Sequence, residues 1–243
     1  MNIGIGLVVF VIVNPMAQPC FATEVRGLAR PTLGKREDTR RNGASLISWG
    51  VSSLVVDTLC NQALKGNVTV ACFYFDFAAQ EEQSPADILG SVLKQVVGGL
   101  DKVPERIVKA FQDRNQVIGG QRLALSEIVE LLRDISFSRR TYVCIDGLDE
   151  CPVGHRVKLL DSLNQILRGS PGVRIFLTGR PHIRGEVEKR LEERVATRFI
   201  TPTKSDIIGF LREKLKEDTM PEAMDESLEE EIIQTIPKTV SEM

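Results

Sequence analysis

Three stretches of this chain are apolar almost from end to end and then stop on polar residues: VTVACFYFDF (68–77), TYVCID (141–146) and GVRIFLTGR (172–180). A strand with one wet face alternates apolar and polar side chains; a run without that alternation is buried on both faces, as in a parallel sheet covered by helices. The segments between the runs carry helical signals. Ser84, Pro85 and Asp87 make a strong helix start, and that helix runs to about Val97 and stops at Gly98-Gly99. A shorter helix is expected over 104–114. Leu125, Ile128, Leu132 and Ile135 give residues 122–136 an apolar face at helical spacing, and Val153, Val157, Leu160 and Leu167 do the same for 153–168. VATRFI (195–200) reads as the last strand, Thr203 to Asp206 as a capping box, and 222–236 as one more helix. Upstream, SLISW (45–49) reads as a short strand and 52–64 as the helix after it. The pattern predicts an α/β fold in three layers, a parallel sheet with helices on both faces.

Composition removes several function classes. The formal net charge of −2 over 243 residues predicts no nucleic-acid partner and no clear membrane partner. The five cysteines are odd in number and include no CxxC pair, which fits a reducing, cytoplasmic compartment. Residues 3–13, IGIGLVVFVIV, are too few to span a bilayer. They have the look of a signal-peptide core, with CFA (20–22) as a weak cleavage site, but no basic residue precedes them. Secretion is therefore the minor alternative, beside a buried strand or an altered reading frame. Residues 1–44 as a whole read as a disordered or signal-like arm, 45–218 as the α/β core, and 219–243 as the start of a further helical segment.

In open parallel sheets ligands bind beyond the carboxyl ends of the strands. Asp76, Asp146 and the Thr178-Gly179-Arg180 turn stand at those ends. In phosphate-handling α/β proteins an aspartate at the tip of an apolar strand orders the Mg²⁺ shell, and acidic residues shortly after it orient a water. Asp146 fits the metal role and Asp149 and Glu150 the water-positioning role, since Gly147 permits a sharp turn between them. Arg180, after the next strand, could touch a γ-phosphate; the plainer reading pairs it with a nearby carboxylate, Asp146 among them.

SSLVVDTL (52–59), ACFYFDF (71–77), QSPADILGSVLKQV (83–96), YVCIDGLDEC (142–151) and IFLTGRPHI (175–183) together resemble the NACHT-type NTPase domain of STAND proteins, especially the nephrocystin-like modules of large fungal signalling proteins. The resemblance implies a P-loop NTPase fold with a five-stranded parallel core. It implies a switch that rests with ADP and oligomerises with ATP and Mg²⁺. Asp146 would then be the Walker B magnesium residue, Asp149 and Glu150 the acidic pair beyond it, and Arg180 the sensor arginine. The expected partners are further copies or other NACHT-type proteins. Family members also run on past IPKTVSEM into helical and winged-helix segments.

One part of the family pattern is missing. Between first strand and first helix the family carries G-x-x-x-x-G-K-[ST], and this chain has no such segment; LGKR (33–36) has arginine where Ser or Thr should stand. Gly50, Ser52 and Ser53 are the candidate phosphate contacts that remain, through the dipole and free N–H groups of a helix starting at Ser52. A phosphate loop supplies several charge-assisted bonds of roughly 1.5–3 kcal/mol each, so its loss removes on the order of 6 kcal/mol or more. A micromolar ligand then weakens beyond millimolar. The expectation is a signalling domain descended from an ATP switch and defective in hydrolysis; the alternative is a non-catalytic module that pairs with full-length NACHT proteins.

Overall fold

The apolar runs become strands because only a sheet interior can bury both of their faces. In the computed structural model, which describes residues 7–13, 43–63, 66, 68–76, 78–79, 83–115, 122–192, 195–200, 203–216 and 226–242, five strands form one sheet. They are β1 (Leu7–Val13), β2 (Val68–Tyr74), β3 (Arg140–Asp146), β4 (Val173–Gly179) and β5 (Val195–Ile200). Their order is β2-β3-β4-β1-β5. β2, β3 and β4 pair in parallel. β1 is antiparallel to both β4 and β5, so β5 runs with the other three and β1 alone runs against them.

The helices are α1 (Gly43–Ala63), α2 (Pro85–Gly98), α3 (Glu105–Asn115), α4 (Leu125–Phe137), α5 (Val153–Gly169), α6 (Arg184–Leu191), α7 (Lys204–Lys216) and α8 (Glu226–Glu242). They cover both faces of the sheet. On one face α1 presses Val55 and Leu59 onto Val9, Val11, Tyr142, Cys144 and Phe176. On the other, α2, α4 and α5 close over Val8, Phe10, Ile12, Ala71, Val143, Ile145, Ile175 and Leu177. The alternation along β1 is strict: Val8, Phe10 and Ile12 face one helical layer, Val9 and Val11 the other. The α/β three-layer reading of the sequence stands, and the layout is that of a P-loop NTPase-like fold.

Four expectations need correction. Residues 7–13 take the buried-strand alternative rather than that of a disordered or signal-like arm; they form a strand between β4 and β5, with Val8 to Ile12 buried on alternate faces. The sheet is mixed rather than wholly parallel, with β1 as the reversed strand. SLISW is not a strand, since 45–49 lie in the first turns of α1. Consequently the first helix does not begin at Ser52; it begins nine residues earlier, at Gly43. The rest of the arm, 14–42, with LGKR and the CFA site, lies outside the described residues.

α6 was not expected from the sequence. Its segment RGEVEKRL buries only Val187 and Leu191, too sparse an apolar pattern to announce a helix. α7 and α8 pack against each other beyond β5. Among the described residues no helix is long and apolar enough to cross a membrane.

If β1 holds the sheet together, truncating its largest core side chain should be costly. Phe10 is wholly buried, and Phe10→Ala should destabilise the domain by about 3–5 kcal/mol, measured as a lowered urea midpoint. A loss under about 1 kcal/mol would mean that β1 contributes little to the core.

Candidate functional site

Side-chain parity decides what meets at the strand ends. Asp146, Cys144 and Tyr142 point to the α1 face of β3, and Tyr74 and Cys72 do so on β2. Tyr74 is the register partner of Asp146. Thr178 shares that face on β4, two residues beyond Phe176. Tyr74, Asp146 and Thr178 thus form a polar row across three parallel strands, and α1 lies over it.

Asp146 is buried, with 6% of its surface exposed. A buried carboxylate is tolerated only if its lone pairs are satisfied. Ser52, itself buried in the tenth position of α1, donates its hydroxyl to Asp146 Oδ1. Thr178 donates its own hydroxyl to the same oxygen. The Thr178 Oγ1 accepts in turn from the backbone N–H of Gly147 at 3.1 Å. The Asp146 carbonyl accepts from the N–H of Phe75 at 3.1 Å, which extends the β2–β3 pairing past Tyr74. Burial, then the neighbouring thiol of Cys72 and the Asp146 carboxylate, push the Tyr74 phenol up to about 12.

Beyond Asp146 the chain turns sharply. Gly147 takes φ of 72°, the left-handed region that favours glycine, and opens a short 3-10 turn over Leu148–Glu150. The turn sends Asp149 toward β4, where its Oδ1 accepts from the backbone N–H of Arg180 at 3.1 Å and its Oδ2 lies 3.3 Å from Arg180 Nε. Gly179 leaves the room for this: a Cβ there would lie 2.6 Å from Ile183 Cδ1 and 3.3 Å from Asp149 Oδ1. Arg180 therefore pairs with a carboxylate, as the plainer reading held, but the partner is Asp149. Its side chain is 57% exposed, so the pair contributes about 0–1 kcal/mol.

Arg156 carries a role that the sequence reading missed. It is buried on α5, donates from Nε to Glu186 Oε2 at 2.9 Å, and holds the carbonyls of Cys151 at 2.8 Å and Asp149 at 3.4 Å. It clamps the acidic turn to α6. A signal existed: Arg156 falls on the same stripe as Leu159, Leu160 and Leu163, where a charge is out of place.

The structure brings Asp146, Asp149, Glu150, Arg180 and Ser52 to one end of the sheet. Gly50 and Ser53 are interior residues of α1. Ser52 stands in the same helix interior. In mid-helix the N–H groups of Ser52 and Ser53 are spent on the carbonyls four residues back, and the positive end of the helix dipole is nine residues, about 14 Å, upstream. Because β1 is reversed, its carboxyl end, Val13, lies beside Arg174 at the far end of β4, while Val8 lies beside Gly179. Val13 itself stands about 16 Å from Asp146, four residues along the strands and two strands across.

The donors at Asp146 are all oxygens, the chemistry that Mg²⁺ prefers. Both hydroxyl protons point at the same carboxylate oxygen, Oδ1. A shallow crevice beside them is lined by Ser52, Val56, Tyr74, Asp146 and Phe176 among others.

A family model described as Nephrocystin 3, N-terminal, matches residues 50–180, from the middle of α1 to the arginine after β4. No curated protein and no solved structure matches the chain.

A double-mutant cycle tests the tie between α1 and β3. Ser52→Ala should cost about 1–2 kcal/mol and Asp146→Ala about 2–4 kcal/mol in urea unfolding, with a coupling of at least about 1 kcal/mol between them. Additive losses would show that the two side chains act independently.

Proposed function

The chain belongs to the nephrocystin 3, N-terminal family, and on that premise we propose that it is a NACHT-type signalling domain whose nucleotide site has become structural. The ancestral activity in this reading is an ATP-dependent oligomerisation switch. The carrying observation is the bonding of Asp146: the residue in the Walker B position takes the hydroxyls of Ser52 and Thr178 on Oδ1, and so anchors α1 to the sheet.

Each role that the resemblance implies has a structural counterpart that competes with it. Asp149, expected to help position a water, holds the Arg180 backbone and side chain. Arg180, expected to sense a γ-phosphate, is engaged by Asp149. Glu150 ends the 3-10 turn beside Gly147. With no Lys-bearing loop in the sequence, nothing offsets the cost of opening these contacts for a triphosphate. ATP, ADP and Mg²⁺ are therefore cofactors of the ancestry, and binding by this chain falls to the millimolar range or weaker. The non-catalytic alternative, a module that pairs with NACHT-type proteins in the cytoplasm, is compatible with the same site, because an anchored strand end stiffens the scaffold that such pairing would use.

Isothermal titration with Mg-ATP should give no heat that fits a micromolar constant, and phosphate release should equal the protein-free blank. A micromolar constant, or turnover abolished by Asp146→Asn, would overturn the proposal.

A further inference from the structure

The two edges of the sheet are treated differently. At the β2 edge, Gln95 of α2 acts as a surrogate strand: its Oε1 accepts from the Cys72 N–H at 2.9 Å and its Nε2 donates to the Cys72 carbonyl at 2.8 Å. That edge is capped at Cys72, in the middle of β2. At the β5 edge, the inner side pairs with β1 over six residues, and among the described residues no backbone hydrogen bond reaches the outer side. Ala196, Arg198 and Phe199 are exposed, Phe199 at 55%. The strand carries no proline, no acidic residue and no described bulge that would discourage pairing.

We infer that the outer edge of β5 pairs with the same edge of a second copy, antiparallel and centred on Thr197. Symmetry restricts the registers. A two-fold axis normal to the sheet keeps every side chain on its own face, so each register is centred on a single residue. Centred on Arg198, the pairing sets arginine against arginine, which is unfavourable. Centred on Thr197, it sets Thr197 against Thr197, Val195 against Phe199 and Ala196 against Arg198. Threonine pairs and aromatic–β-branched pairs are among the favourable cross-strand neighbours.

The local surroundings already prepare that face. Val195 reaches the core on the α6 side. Thr197 donates to Glu188 of α6 at 2.8 Å, and Arg184 of α6 stacks 5.1 Å over the Phe199 ring. Phe199 is thereby fixed against α6 on the face that the partner's Val195 would share. Ile200, on the opposite side, packs with the α1-face cluster and fixes the strand's orientation. The pairing stands apart from the nucleotide reading, since β5 contributes no residue to the Asp146 cluster. A six-residue edge with one apolar pair per half is a small contact, so the dimer belongs to the weak, concentration-dependent class.

The test uses the full chain. Light scattering over a concentration series should show a monomer–dimer equilibrium, and Phe199→Lys should weaken it about tenfold without lowering the melting temperature. Independently, Thr197→Cys in a Cys20→Ser, Cys60→Ser background should form a disulfide-linked dimer with oxidised glutathione, while Ser205→Cys on α7 should not. A chain that stays monomeric throughout overturns the inference and leaves the edge to an extended peptide of another protein. A dimer indifferent to Phe199→Lys, with equal cross-linking at 197 and 205, overturns it as well.

Discussion

A carboxylate buried at the tip of a central strand must be bonded, and the way Asp146 is bonded organises this end of the molecule. An isolated ionised carboxylate in a protein interior is too costly to keep. Here the hydroxyls of Ser52 and Thr178 converge on it. Those two contacts join α1, β3 and β4, elements far apart in the sequence. They also define which face of the sheet α1 covers, and hence the second apolar cluster of Val55, Leu59, Val9, Val11 and Phe176. Next to that tie, Arg156 and Asp149 hold the acidic turn against α5, α6 and the turn after β4.

The reversed strand is the second constraint. A parallel strand between β4 and β5 would deliver its following loop to the Asp146 end; an antiparallel one delivers it to the opposite end. β1 therefore completes the hydrogen bonding of the sheet and buries Val8, Phe10 and Ile12, and its carboxyl end stands away from the acidic cluster. Fold and site are separable in this chain. Pairing and burial are satisfied by any apolar strand of the right length, whereas phosphate recognition needs one direction and one loop.

Much of this was legible in the sequence where the physics is local. The four runs that became β2 to β5, and the helices with clear apolar stripes, follow from periodicity and capping, and Ser84 does cap α2 through the Asp87 N–H. Gly147 after the apolar run reads as a sharp turn, and it adopts the positive φ that such a turn requires. What was missed depends on tertiary partners. IGIGLVVFVIV has no local mark that says strand rather than signal core; only the slot between β4 and β5 decides it. SLISW is apolar enough for a strand, and its continuity with the helix that follows overrides that preference. The pairings Ser52–Asp146 and Asp149–Arg180 span 94 and 31 residues, and no spacing rule reaches so far.

Ser52, Asp146 and Thr178 tie α1, β3 and β4 together at the strand ends. The most direct test is whether Asp146 takes a divalent cation. Mn²⁺ can be titrated against the protein with ATP present and followed by electron paramagnetic resonance. The account predicts a free-ion signal that the protein leaves unchanged, in wild type and in Asp146→Asn alike. Stoichiometric loss of the signal in wild type, restored by Asp146→Asn, would contradict it.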